Sequence, residues 1–248
     1  MNIRDPWNKK QTAYNGLLPL NHDDPLIPCV SYEMPDLFFF EREALDKGYA
    51  RIAGVDEAGR GPLAGPVVAA AVILPSHHQF NGLNDSKLLT PHQREKWFEQ
   101  ICASAVVWSI ATVSEEEIDH VNILQATRRA MKECVELLSP APDYVLIDGI
   151  TPISVNIHQR CIKKGDQRSF SIAAASVLAK VTRDRIMDAY HQQYPHYNFI
   201  KNKGYGTQEH REALRTFGYC PIHRKSFRGV KEIGPEVRAS GSLPLTGL

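Results

Sequence analysis

Apolar residues fall along this chain in two rhythms: short runs that are apolar at nearly every position, and longer stretches with helical periodicity. The short runs predict strands at about 49–56, 67–74, 106–113, 144–148 and 154–162. The second is apolar almost throughout, as a strand buried on both faces is. The periodic stretches predict helices. One covers 38–47, with Phe39, Phe40, Ala44 and Leu45 on a single side and Gly48 as its stop. Another covers 91–103, with Thr90 as cap and Pro91 in the first helical position. Ser114 followed by Glu115, Glu116 and Glu117 predicts a capping box. It opens helical sequence that runs, with a break near His120, to Leu138, where Pro140 and Pro142 end it. The longest helix covers 170–194, where Ile172, Leu178, Val181, Ile186 and Tyr190 keep helical spacing and the small residues at 173–176 permit a close neighbour. A last helix lies at 208–217. Strands early and helices late predict an α/β layer, with helices packed against a central sheet.

Composition changes this picture at the two ends. Residues 1–35 carry Pro6, Pro19, Pro25, Pro28 and Pro35, which predicts an irregular N-terminal extension. Residues 36–228 then form the domain. Residues 229–248, with Pro235, Gly241, Pro244 and Gly247, read as a loosely ordered tail. A chain of 248 residues can bury one sizeable core, and its charged and hydrophobic fractions are those of a soluble globular protein. No apolar run is long enough to span a bilayer, and the first residues lack the apolar core of a secretory signal, so the chain reads as cytoplasmic. The cysteines at 29, 102, 134, 161 and 220 include no C-x-x-C pair and read as reduced thiols. Net charge is only +1, so any contact with nucleic acid has to come from a local basic surface.

The candidate chemistry starts where the first strand ends, in Asp56 and Glu57. Neighbouring side chains of an extended chain point to opposite faces, so the two carboxylates flank one point only if the strand bends or ends there. Gly59, Gly61 and Gly65 allow such a bend, and Arg60 between them is a bidentate donor suited to phosphate. A phosphate loop of the G-x-x-x-x-G-K-[ST] kind fails on spacing, and a dinucleotide fingerprint fails because the loop runs into a strand-like segment. Asp148 ends another apolar run before Gly149; it reads either as an Asp-Gly turn or as a carboxylate converging on the first pair. Asp166 precedes the longest helix, where an acid also suits the helix dipole. Asp184 lies one helical turn after Lys180 and can simply pair with it. Lys87, in the polar turn Asn84-Asp85-Ser86-Lys87, and Lys180, Arg183, Lys203, Arg224 and Lys225 are cations that can line a groove. His223 reads equally as a phosphate contact and as a packed loop residue, while His77, His78, His92 and His196 read as surface. Tyr205 sits between Gly204 and Gly206, a poor place for a core aromatic. No G-x-S-x-G elbow occurs for a metal-free Ser or Cys hydrolase.

Taken as complete strings, residues 52–74, 84–87, 144–149, 164–166, 173–185, 203–207 and 221–227 resemble, in order, the motifs of ribonuclease HII, the type 2 ribonuclease H family; the resemblance covers about 36–228. It implies a ribonuclease H-like α/β fold, a mixed five-stranded sheet flanked by helices, with a small C-terminal helical part. It implies an endonuclease that cuts the RNA strand of RNA–DNA hybrids and the 5′ side of single ribonucleotides in duplex DNA; it implies no obligate protein partner either way. Asp56, Glu57, Asp148 and Asp166 would be the catalytic carboxylates and the ligands of Mn²⁺ or Mg²⁺, ions that prefer oxygen donors. Gly59, Arg60, Gly61, Lys87, Lys180, Tyr205 and Arg224 would touch substrate, with Tyr205 beside the 2′-hydroxyl that distinguishes RNA from DNA. The sister family, ribonuclease HIII, fits less well, because Asp56-Glu57-Ala58-Gly59-Arg60-Gly61 has the HII form. A hybrid-binding protein without catalysis is a third reading, which the retention of all four carboxylates opposes.

Overall fold

In the computed structural model, which describes residues 36–75 and 89–234, the first strand β1 (Ile52–Ala58) takes the centre of a five-stranded mixed sheet. The other strands are β2 (Val67–Ile73), β3 (Val107–Val113), β4 (Tyr144–Asp148) and β5 (His158–Ile162), in the order β3-β2-β1-β4-β5. β1 runs antiparallel to β2 and parallel to β4, and β4 runs parallel to β5. The expected extension, residues 1–35, the turn holding Lys87 and the tail from 235 lie outside the described residues. Among the described residues no helix is long and apolar enough to cross a membrane.

Alternation along the strands assigns each face its cover. Ala53, Val55, Val67, Ala69, Ala71, Val145 and Ile147 pack under α3 (Glu115–Val121) and α4 (Ile123–Glu136). Val68, Ala70 and Val72 pack instead under α5 (Phe170–Gln193) and α2 (Pro91–Ser104). β2 is therefore buried at every residue, as its unbroken apolar run predicts. On β1, Gly54 and Asp56 fall on the α5 face, and on β4 Asp148 follows Leu146 to that face. The start of α5 is fixed by α1 (Phe39–Asp46), whose buried Glu41 accepts from the Ser169 hydroxyl at 2.7 Å and the Ser171 N–H at 2.9 Å. Beyond α5, the short helix α6 (Phe199–Asn202) and α7 (Gln208–Phe217) build a second cluster. Met187, Tyr197, Phe199 and Leu214 pack there against Leu63 and Ala64 of the loop after β1.

Several boundaries differ from the sequence reading. β1 continues past Asp56 because its pairing with β2 persists to Ala58. β5 begins only at His158, since the Gln159 side chain ties up both the N–H and the C=O of Ile153. The helix break falls at Asn122, whose φ of 71° ends α3 while its side chain caps α4. The capping box expected at Ser114 is one-sided: its hydroxyl accepts from the Glu117 N–H, but the Glu117 carboxylate turns to Arg129. The reciprocal box forms at Thr90 with Gln93. Packing also continues beyond 228, through buried Val230 and a 3.0 Å bond from the Tyr219 N–H to the Gly234 carbonyl.

His223 is packed, not free for phosphate. Its Nε2 lies 2.9 Å from Nε2 of His210, and both are buried beside Tyr197 and Phe199. His210 Nδ1 lies 2.9 Å from the Tyr205 carbonyl and must donate to it, so its Nε2 accepts from His223. His223 Nδ1 then accepts from the Cys220 N–H at 3.0 Å, and both rings are neutral. Burial, then the neighbouring His210, pushes the His223 pKa down to about 3. The unfolded chain takes up a proton near pH 6.5 that the folded protein refuses, so this contribution to stability is present above that value and lost as pH falls below it. The urea midpoint is expected to drop between about pH 7 and about pH 5, with about 2 kcal/mol of the loss due to His223. A His223→Asn variant should show a shallower fall, and an equal slope would remove His223 as the cause.

Candidate active site

The parallel pairing of β1 with β4 brings Val55 opposite Ile147, so the next residues, Asp56 and Asp148, emerge together at the strand ends. The Glu57 carboxylate joins them: one ligating oxygen from each of Asp56, Glu57 and Asp148 lies within 4.8 Å of the others. The pairing of β1 with β4 stops at Val55, which leaves an open edge around which carboxylates of opposite faces can meet. Asp56 is buried, with its Oδ1 accepting from the Glu57 N–H at 2.7 Å and a further hydrogen bond to the Ser176 side chain of α5. Burial, then the charges of Glu57 and Asp148, hold its carboxyl well above the usual carboxylate range. Burial raises Glu57 as well, opposed by Arg60, whose Nη1 donates to Glu57 Oε1 at 3.2 Å. Asp148 accepts from the Gly165 N–H at 2.6 Å.

Three crowded carboxylates, one of them buried, repel each other unless protons or a cation neutralise them. The donors are all hard oxygens, so the set fits a divalent cation of the Mg²⁺ or Mn²⁺ kind. Asp166 is not one of the trio. It is buried in a single 3₁₀ turn, Gly165–Gln167, next to the glycine that holds Asp148.

Around the trio lies a cavity of about 270 Å³, lined also by Gly59, Arg60, Gly61, Arg94, Ser176, Lys180, Arg183 and Tyr205. A groove of about 520 Å³ continues from it past Arg94, Lys180 and Tyr205 to Lys203. A larger cleft of about 1100 Å³, over α3 and the loop at 219–226, contains no such carboxylate group among the described residues, so the smaller cavity is the candidate site. Lys180 meets both of its expected descriptions. It lines the cavity and bonds Asp184 Oδ1 at 2.6 Å, while burial lowers its pKa. Lys203 pairs with Asp188. Lys225 projects over the Tyr219 ring, beside the larger cleft.

Arg224 corrects the sequence reading. It is fully buried and donates to the carbonyls of Gly59, Arg60, Pro62 and Gly65, at 2.6–3.1 Å, leaving no guanidinium face for substrate. Arg183, also buried, behaves alike, bonding the carbonyls of Ala64, Pro66 and Lys203 at 3.0 Å each. By contrast Tyr205 is 46% exposed, and a Cβ placed on Gly61 would sit 3.6 Å from its ring. Sequence reasoning missed Ser176 and Arg94 as cavity residues. Ser176 was within reach, since it precedes Lys180 by one helical turn. Arg94 sits on another helix, and nothing in its surroundings marks it.

The sequence model of the ribonuclease HII family matches residues 53–230. Ribonuclease HII of Syntrophus aciditrophicus is 58% identical over 197 residues, covering 79% of this chain and 92% of that one. Ribonuclease HII of Citrifermentans bemidjiense is 51% identical over 234 residues, covering 94% and 98% of the two chains. Among solved structures, the ribonuclease H2 of Pyrococcus horikoshii superposes with a TM-score of 0.64 at 27% identity, over 74% of this chain and 96% of that one.

Proposed function

The chain belongs to the ribonuclease HII family, and on that premise we propose that it hydrolyses the RNA strand of RNA–DNA hybrids and cuts on the 5′ side of a single ribonucleotide in duplex DNA, leaving 3′-hydroxyl and 5′-phosphate ends. The observation that carries this reading is the joint presence, in one cavity, of three converging carboxylates and the Gly61–Tyr205 pair. Asp56, Glu57 and Asp148 would hold Mn²⁺ or Mg²⁺, with Asp166 supporting from the turn beside Asp148. A pair of such ions neutralises a phosphodiester, lowers the pKa of water and steadies the leaving oxygen. The chain's own part is to position. Arg60 and the amides of Gly59 and Gly61 orient a phosphate, and Lys180 adds a cation at the cavity wall. We keep Lys87 as a further phosphate contact on the strength of its motif alone.

Metal ligands see phosphate oxygens, which RNA and DNA share, so selectivity needs a group that reads the ribose. The 2′-hydroxyl is both donor and acceptor. Among the described residues the Gly61 N–H and C=O bond no protein partner, and they lie beside the exposed Tyr205 ring. Tyr205→Ala is expected to slow cutting at an embedded ribonucleotide about tenfold to a hundredfold, the cost of an unmade buried hydrogen bond. Tyr205→Phe separates the roles, since a large loss implicates the hydroxyl and a small one the ring face. The test is one gel: a DNA duplex with one ribonucleotide, with and without Mn²⁺ or Mg²⁺. Absence of a metal-dependent cut at that junction would refute the reading, and wild-type cutting by Tyr205→Ala would move ribose recognition elsewhere.

A further inference from the structure

We propose that Arg183 and Arg224 are positioning residues, which fix the Gly61 peptide and the Tyr205 ring at one separation and so set cleavage at the ribonucleotide without touching it; this rests on the reading of Gly61 and Tyr205 above. The observation is how the carbonyls of residues 59–66 are distributed. Arg224 takes those of Gly59, Arg60, Pro62 and Gly65 through its guanidinium and that of Leu63 through its own N–H, at 2.9 Å. Arg183 takes those of Ala64 and Pro66. Among the described residues the Gly61 carbonyl alone of these accepts no protein hydrogen bond, and Gly61 lines the cavity.

Arg183 also reaches the other wall. Its Nη1 donates to the carbonyl of Lys203, next to the Gly204–Tyr205 turn, while its Nη2 and Nε hold Ala64 and Pro66. One planar guanidinium thus joins the two loops that carry Gly61 and Tyr205. The Leu63 N–H adds a second tie, to the Gly204 carbonyl at 2.8 Å. Two buried cations this close need a counter-charge, and Glu115, itself buried, interacts electrostatically with both. Lysine cannot substitute here. It offers a point charge where the loop needs a rigid fork reaching several carbonyls at once.

The test uses Arg183→Lys and Arg224→Lys in the full chain, with the single-ribonucleotide duplex as substrate and Mn²⁺ alone as the probe for calorimetry. The expected result is a kcat lowered about tenfold or more with KM within about threefold, because phosphate contacts survive and only orientation is lost. Mn²⁺ affinity should stay within about twofold of the wild type, because the carboxylates do not depend on either arginine. Folded lysine variants that cut at the wild-type rate would overturn the proposal, as would parallel losses of cutting and Mn²⁺ affinity. Should both variants fail to fold, amide exchange in the wild-type protein decides. The N–H groups of Leu63 and Gly65 should exchange as slowly as those in the middle of α5, and local opening about a hundredfold faster would show that the arginines do not hold the loop. If the wild type fails to cut the junction, the functional reading falls, and the exchange rates still report on the clamp.

Discussion

Changing Asp56, Glu57 or Asp148 singly to its amide is expected to lower cleavage about a thousandfold, with the fold intact. The three oxygens share one site within 4.8 Å, so each amide removes a charge that the bound cation needs and no neighbour replaces. A thousandfold corresponds to about 4 kcal/mol of transition-state stabilisation, within what metal ligation supplies. Stability of the metal-free protein should move the other way. Asp56 has its folded pKa raised by burial and by two like charges, so ionising it opposes folding. That penalty sets in as pH rises above the unfolded value of about 3.9 and is complete above the folded one, so metal-free Asp56→Asn should melt higher than wild type at neutral pH. Asp166→Asn should be milder, because Asp166 lies outside the trio. Single-turnover rates at saturating Mn²⁺ and melts in chelator check both halves. A near-normal rate for any one amide would remove that residue from the mechanism.

The strands and the first carboxylates were legible because both follow from short-range pattern. An apolar run that stops at an acid marks a strand leaving the core, and two such stops, at Asp56 and Asp148, meet when their strands pair in parallel. Arg224 was misread for the complementary reason. In sequence its loop, with Arg224, Lys225 and Arg228, is simply basic. Only the packing of that loop under residues 59–65 shows that one arginine is consumed by backbone carbonyls while Lys225 stays outside. Local pattern carries no information about which charge a distant loop will bury. The same holds for the short turn Gly165–Gln167, which aims a backbone N–H at Asp148 across the sheet edge. A helix break was legible near His120, but its place was not, because the positive φ and the side-chain cap that set it belong to Asn122, two residues on.

Gly54→Ala is expected to abolish the soluble folded protein, the largest stability effect of any change considered. Gly54 lies on the α5 face of the central strand, where a Cβ would sit 2.1 Å from the carbonyl carbon of Ser171 and 2.5 Å from the Ile172 nitrogen. Both are backbone atoms, so no rotamer change relieves the clash. The strand cannot retreat, because β1 is hydrogen-bonded to β2 on one side and β4 on the other. The helix cannot retreat cheaply either. Glu41 grips its first turn, and the Phe170 N–H is bonded to the Leu37 carbonyl at 2.8 Å. Moving α5 outward would break those bonds, open the layer of Ala173, Ala174 and Ala175 over β2, and draw Ser176 away from Asp56. Overpacking against backbone of this kind exceeds the usual mutational range of about 0.5–3 kcal/mol, and the whole protein has only about 5–15 kcal/mol to lose. Gly149→Ala is the control. Its φ is 97° but nothing lies within 4 Å of the added carbon, so the cost is only that of a left-handed residue, about 1–2 kcal/mol. Soluble yield and thermal midpoint read the comparison. A Gly54→Ala protein that melts within about 5 °C of wild type would mean that helix and strand do not approach as closely as this geometry requires.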